Sequence, residues 1–178
     1  MNILKHNKGF TLIELLIVIA LLGALAVGLL AALDPFEQLK KGTDTSIRNT
    51  VSELQGAIIR YYAIKSQMPW CADVDCGTFK DSLTDPLIAV KADTLDETIT
   101  NITTTGELKS DFTTLAGATT LSKIVVFGSN ANGTIQVCYK PSAKSFIQDP
   151  NTKFDPATGA TGCVADATNS NGCLWCVK

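Results

Sequence analysis

Hydrophobic and polar positions are unevenly spread along the 178-residue chain. From position 15 to position 33 every residue is apolar or glycine, a run of 19. At about 1.5 Å rise per residue this run makes roughly 28 Å of helix, close to the roughly 30 Å hydrocarbon thickness of a bilayer. Asp34-Pro35 interrupts it, because proline removes a backbone hydrogen bond and clashes with the preceding turn. A kink or local break is expected at Pro35. From Phe36 onward the pattern is amphipathic: Ile47, Val51, Leu54, Ile58 and Tyr61 recur at helical spacing, with Lys40, Lys41, Arg48, Glu53 and Arg60 between them. One face should be buried. Gly42 and Gly56 weaken this helix by about 1 kcal/mol each relative to alanine, and Met68-Pro69 ends it by about Ser66. The stripe lasts barely two heptads, which favours packing on the following domain over a coiled-coil seam.

Beyond Pro69 the helical period disappears. Residues 71–76 read as a tight acidic loop and Asp85-Pro86 as a turn, and the threonine-rich stretch 98–105 shows no clear period. Short helices are expected between Thr78 and Ala116. Residues 123–128 and 134–140 read as strands joined through Ser129-Asn130-Ala131-Asn132-Gly133, an antiparallel hairpin. Residues 144–148 read as a third strand. Along the second strand Ile135, Val137 and Tyr139 share the face expected against the helix, and Gln136, Cys138 and Lys140 share the other. A long helix followed by an antiparallel sheet is an α+β arrangement.

Composition narrows the function. Hydrophobic residues make up 46% and charged residues 18%, which excludes a disordered, solvating chain. Formal charge is −2; removing residues 1–9 takes away Lys5 and Lys8 and leaves 13 basic against 17 acidic residues, or −4. No cluster of Lys and Arg suits a nucleic-acid backbone, and no nucleic-acid partner is predicted. The one histidine is His6. A mature chain lacking it has no Ser/His or Cys/His pair and no imidazole ligand, so a non-enzyme without cofactor or metal is expected, with no catalytic residue.

The basic stretch before the apolar run, with Lys5, His6 and Lys8, leaves the N-terminus cytoplasmic and the remainder of the chain outside. One reading is a secretory signal peptide cut after Ala24-Leu25-Ala26. Glu14 argues against it: an acidic residue costs about 2.5 to 3.5 kcal/mol at the centre of a bilayer and marks a specific partner. Gly23, Ala24, Ala26, Gly28, Ala31 and Ala32 place small residues along the run, which lets apolar helices approach closely in a bundle.

Lys8-Gly9-Phe10-Thr11-Leu12-Ile13-Glu14-Leu15-Leu16-Ile17-Val18 resembles the prepilin signature of type IV pilins and type II secretion pseudopilins. The resemblance covers the leader and the first helix to about Ile64. It implies that a membrane-embedded aspartic prepilin peptidase cuts on the cytoplasmic side after Gly9 and N-methylates Phe10. It further implies that Glu14 pairs with the N-terminal amine of a neighbouring subunit and sets its register during assembly. The family's proline typically lies about four residues nearer the N-terminus than Pro35, so the family's local melting is not carried over.

On this resemblance the chain divides into a removed cytoplasmic leader (1–9), a transmembrane or filament-core helix (10–34), an amphipathic helix (35–67) and an exported globular domain (68–178). The implied role is that of a pilin polymerised through its N-terminal helix. The alternatives are a pseudopilin of a type II secretion system and, in a different class, a membrane-anchored or secreted disulfide-rich binding domain. The implied partners are further copies in a helical filament, the prepilin peptidase, an assembly ATPase, an inner-membrane platform protein and, before assembly, membrane lipid. The chain would cross the inner membrane once, N-terminus inside, and then stand in a cell-surface filament.

Six cysteines in an exported chain point to disulfides. Proximity suggests Cys71 with Cys76 and Cys173 with Cys176, and elimination then pairs Cys138 with Cys163; a bond from Cys138 to Cys173 or Cys176 is nearly as good. In the family the C-terminal segment is often tied to the sheet by such a link, and here residues 151–178 have little apolar content of their own. Two sharper readings of the cysteines are weaker. Cys173-Leu174-Trp175-Cys176 has redox-dithiol spacing but no room for the following helix that lowers a thiol pKa. A zinc site from Cys71, Cys76, Cys173 and Cys176 competes with disulfides favoured by export. Asp166, Asn169 and Asn171 before Gly172 offer oxygen ligands, and some pseudopilins hold calcium in a C-terminal loop. Their spacing nevertheless misses the EF-hand pattern.

Overall fold

The structure is a computed structural model that describes residues 9–32, 34–81 and 83–178. The leader residues 1–8, with Lys5, His6 and Lys8, lie outside it. The chain divides into two units, one ending at Gln38 and the other running from Leu39 to Lys178.

In the first unit, helix α1 spans Leu12–Ala32. Among the described residues it is the one helix long and apolar enough to cross a membrane, with 19 residues (Leu12–Leu30) at a mean hydropathy of 2.8. Its large apolar side chains are exposed, from Leu12 through Leu30. Helix α2 spans Pro35–Lys65, and its start explains the interruption in the sequence pattern. The Glu37 N–H donates to the Asp34 carboxylate at 3.2 Å and the Gln38 N–H to the Asp34 carbonyl. Asp34 is therefore an N-cap and Pro35 the first helical residue, where a missing N–H costs nothing. Pro35 starts a second helix, as a local break and not as a kink inside one.

In the second unit the predicted stripe of α2 is buried: Ile47, Val51, Leu54, Ile58 and Tyr61 are each at most 4% exposed, and Ala57 joins them. Burying a Val, Leu or Ile side chain is worth about 1.5 to 3 kcal/mol, so this stripe holds the helix to its domain. The sheet comprises β1 (Leu87–Lys91), β2 (Ile124–Ser129), β3 (Thr134–Tyr139), β4 (Thr152–Phe154) and β5 (Leu174–Val177). Among the described residues its order is β1-β2-β3-β5-β4, with every neighbouring pair antiparallel. Strand alternation sends Ile124, Val126, Val137 and Tyr139 into the main core with the α2 stripe, Met68 and Trp70. Phe127, Cys138, Phe154, Leu174 and Cys176 form a second cluster. Between β1 and β2 lie a 3₁₀ turn (Ala92–Thr94) and the short helices α3 (Asp96–Thr104), α4 (Phe112–Ala116) and α5 (Ala118–Leu121).

Two sequence expectations are corrected. Residues 144–148 are not a strand: Lys144–Ile147 is a helical turn, α6, begun by N–H groups of Phe146 and Ile147 bonding to the Ala143 carbonyl. The entry to that turn is fixed by Asp44 of α2, whose buried carboxylate accepts from the N–H of Ser142 (2.8 Å) and of Ala143 (2.7 Å) and from the Ser142 hydroxyl. The second correction is the cysteine pairing. Cys71–Cys76 closes the acidic loop, but the other bonds are Cys138–Cys176 and Cys163–Cys173. Cys176 lies directly opposite Cys138 in the β3–β5 ladder. A Cys173–Cys176 bond would join residues three apart along an extended segment, roughly 10 Å at about 3.3 Å per residue, beyond the roughly 7 Å that a disulfide bridges. Cys138 then takes the partner directly across the ladder, and Cys163 is left for Cys173.

Candidate functional site

The N-terminal residues that carry the sequence signature stand together at the start of α1. Gly9 and Phe10 precede the helix in non-helical, exposed backbone, and a Cβ placed on Gly9 would meet no atom within 4 Å. Phe10 is 77% exposed.

The next four residues form a capping box. The Glu14 N–H donates to the Thr11 hydroxyl at 3.3 Å, and the Glu14 carboxylate accepts from the Thr11 N–H at 2.9 Å and from the Thr11 hydroxyl at 2.7 Å. Two N–H groups that a helix start leaves without intrahelical partners are thus satisfied. Glu14 sits in the first turn, where a negative charge also suits the helix dipole. Glu14 is legible in the sequence by its charge, whereas Thr11 is marked only by the Thr-x-x-Glu spacing of a capping box.

Residues 4–30 match the family model of the prokaryotic N-terminal methylation motif. The chain carries the leader signature of type IV pilins and pseudopilins. The match spans the Gly9-Phe10 boundary, the capping box and most of α1, and it stops before α2. No curated protein and no solved structure matches the chain. The signature therefore rests on the N-terminal segment, while the second unit is known from its own fold.

The remaining candidate residues are engaged in structure. All six cysteines are in disulfides, so the sulfurs proposed for zinc or for a dithiol are bonded to one another. Asp166 accepts from the N–H of Thr168 (3.0 Å) and of Ser170 (2.8 Å) and from the Ser170 hydroxyl. The Ser170 hydroxyl and N–H hold the Asp166 carboxyl down to about 2, well below the usual carboxylate range. The Asn171 amide donates to the Val164 carbonyl, and the buried Asn169 amide donates to the Cys173 carbonyl at 2.8 Å. These three residues fold the 166–172 turn upon itself. Among the described residues no group of three or more His, Cys, Asp or Glu is placed to hold a metal ion.

Proposed function

We propose that this chain is a structural subunit, a pilin of a type IV pilus-like filament, made as a membrane precursor and polymerised through its N-terminal helix. The observation that carries the reading is the methylation motif at residues 4–30, which takes in most of a membrane-length apolar helix whose single charge is Glu14. A prepilin peptidase cuts after Gly9 and methylates Phe10. In the membrane the capping box satisfies Glu14; on assembly the carboxylate pairs with the cationic Phe10 terminus of a neighbouring copy. An assembly ATPase and an inner-membrane platform protein drive extraction from the lipid. The chain does no catalysis of its own. It waits with its N-terminus inside and its second unit outside, then stands in a surface filament.

A pseudopilin of a type II secretion system is the second reading, because the same motif serves both. Processing and abundance test the proposal together. Gly9→Leu puts a branched side chain at the cleavage boundary and should leave full-length precursor in the membrane on a gel. Normal maturation of that variant would contradict the cleavage assignment. Recovery of the wild-type chain as the bulk protein of sheared surface filaments supports the pilin. Its confinement to the cell envelope favours the pseudopilin.

A further inference from the structure

The sequence contains two Asn-Gly pairs, Asn132-Gly133 and Asn171-Gly172, and the fold treats them differently. Asn-Gly is the dipeptide in which the following backbone nitrogen is least hindered from attacking the asparagine side chain. Both asparagines are exposed. Both following N–H groups sit in similar turns, Gly133 donating to the Asn130 carbonyl at 3.2 Å and Gly172 to the Asn169 carbonyl at 3.1 Å. The amides differ. That of Asn171 is pinned to the Val164 carbonyl, inside the loop closed by Cys163–Cys173, whereas that of Asn132 stands on the β2–β3 hairpin tip with no side-chain hydrogen bond among the described residues. Nor can the fold readily replace Gly133: its φ is +59°, and an added Cβ would lie 3.1 Å from the Tyr62 hydroxyl.

We infer that Asn132 is a self-modification site, at which the folded chain converts asparagine to aspartate and isoaspartate. The Gly133 nitrogen bonds to the Asn132 Cγ, the Cγ–Nδ2 bond breaks, and Nδ2 leaves as ammonia with the proton lost from Gly133. Water then opens the resulting succinimide at either carbonyl. The product puts a new negative charge on the hairpin tip. Its isoaspartyl form inserts a methylene into the backbone of the turn that places Asn130, whose carboxamide oxygen accepts the Met68 N–H at 2.8 Å just beyond the end of α2. This inference is independent of the filament reading.

The test incubates the purified, folded full chain in detergent at mildly alkaline pH. Peptide mass spectrometry and isoaspartyl-methyltransferase labelling then follow the two sites. Asn132 should react faster than Asn171 by roughly fivefold or more, the factor one net intramolecular hydrogen bond is worth. In the reduced, urea-unfolded chain the two rates should converge. Asn132→Gln should remove the faster-forming acidic isoform from the folded protein. Equal rates at the two sites in the folded chain, or an unreactive Asn132 there while the unfolded chain reacts, would overturn the inference.

Discussion

Glu14 is bonded to Thr11 within the chain, and the proposed filament would give its carboxylate a second partner. Within one chain its carboxylate closes the capping box with Thr11; in the proposed filament it neutralises a neighbour's terminus. Glutamine keeps capping-box hydrogen bonding but carries no charge. Glu14→Gln should therefore insert and mature normally yet lower filament yield, because a buried cation left without its counter-charge costs about 3 to 5 kcal/mol. Thr11→Val keeps the charge and removes the hydroxyl cap, so it should fray the first turn by about 0.5 to 2 kcal/mol and disturb assembly less. Comparing membrane-fraction levels with filament yield for the two variants checks this ordering; wild-type yield from Glu14→Gln would refute the charge role.

Arg48 is the residue on which elements of the second unit converge. Its guanidinium lies 3.9 Å from the Phe146 ring centroid and 4.4 Å from that of Trp175. It donates to the Tyr139 hydroxyl at 3.1 Å and to Asp149 at 2.7 Å. Burial raises the Tyr139 hydroxyl to about 12 even though Arg48 pulls the other way. Burial also pushes Asp149 up, but the Asn151 N–H and Arg48 outweigh it and leave the carboxyl lowered. Arg48→Met should cost about 2 to 3 kcal/mol in urea unfolding, the scale of a desolvated cation–π contact with a charge-assisted hydrogen bond. Arg60, paired with Glu107 at 3.0 Å but half exposed, should lose no more than about 1 kcal/mol as Arg60→Met. Equal losses would refute the ranking.

The same elements show what a sequence discloses. The α2 stripe and the β2–β3 hairpin were legible because their signals are local: a helical repeat, a period of two, and an Asn-Gly turn. Short helices are expected between Thr78 and Ala116, but the bounds of α3 are not legible in its aperiodic threonine-rich sequence, because its cap comes from elsewhere. Asp81 accepts the N–H groups of Glu97 (2.7 Å) and Thr98 (2.8 Å) from outside the helix. Strand β5 is hidden in a tail with little apolar content. Its four residues, Leu174–Val177, nonetheless lie inside the sheet between β3 and β4, and their pairing decides the disulfides. The methylation signature was legible in full because it is a linear motif.

At the scale of the whole molecule, the loop-rich domain is held by cross-links and carboxylates. The Cys138–Cys176 bond spans 38 residues and Cys163–Cys173 spans 10. By chain entropy the first is worth roughly 4 kcal/mol and the second roughly 2.5. Replacing both Cys138 and Cys176 by alanine should lower the unfolding midpoint further than replacing Cys163 and Cys173. A non-reducing peptide map should recover those two pairs together with Cys71–Cys76. Asp73, Asp155 and Asp166 each accept hydrogen bonds within their loops, from Thr78, Thr158 and Ser170 foremost, and their carboxyls are lowered. A lowered folded-state pKa contributes stability in full above the unfolded value, about 3.9, and loses it as the pH falls. Melting temperature should therefore drop as acid takes the domain from about pH 4 toward about pH 2. A flat profile there would count against these carboxylates as loop anchors.

A pilin-like subunit differs from a secreted or anchored domain in where its mature chain begins. Intact-mass and N-terminal sequencing of the protein from its own membrane should find a chain starting at Phe10 and carrying an N-methyl group. A start at Val27, the product of an ordinary signal peptidase, or at Met1, an uncut anchor, would contradict the proposed pilin role.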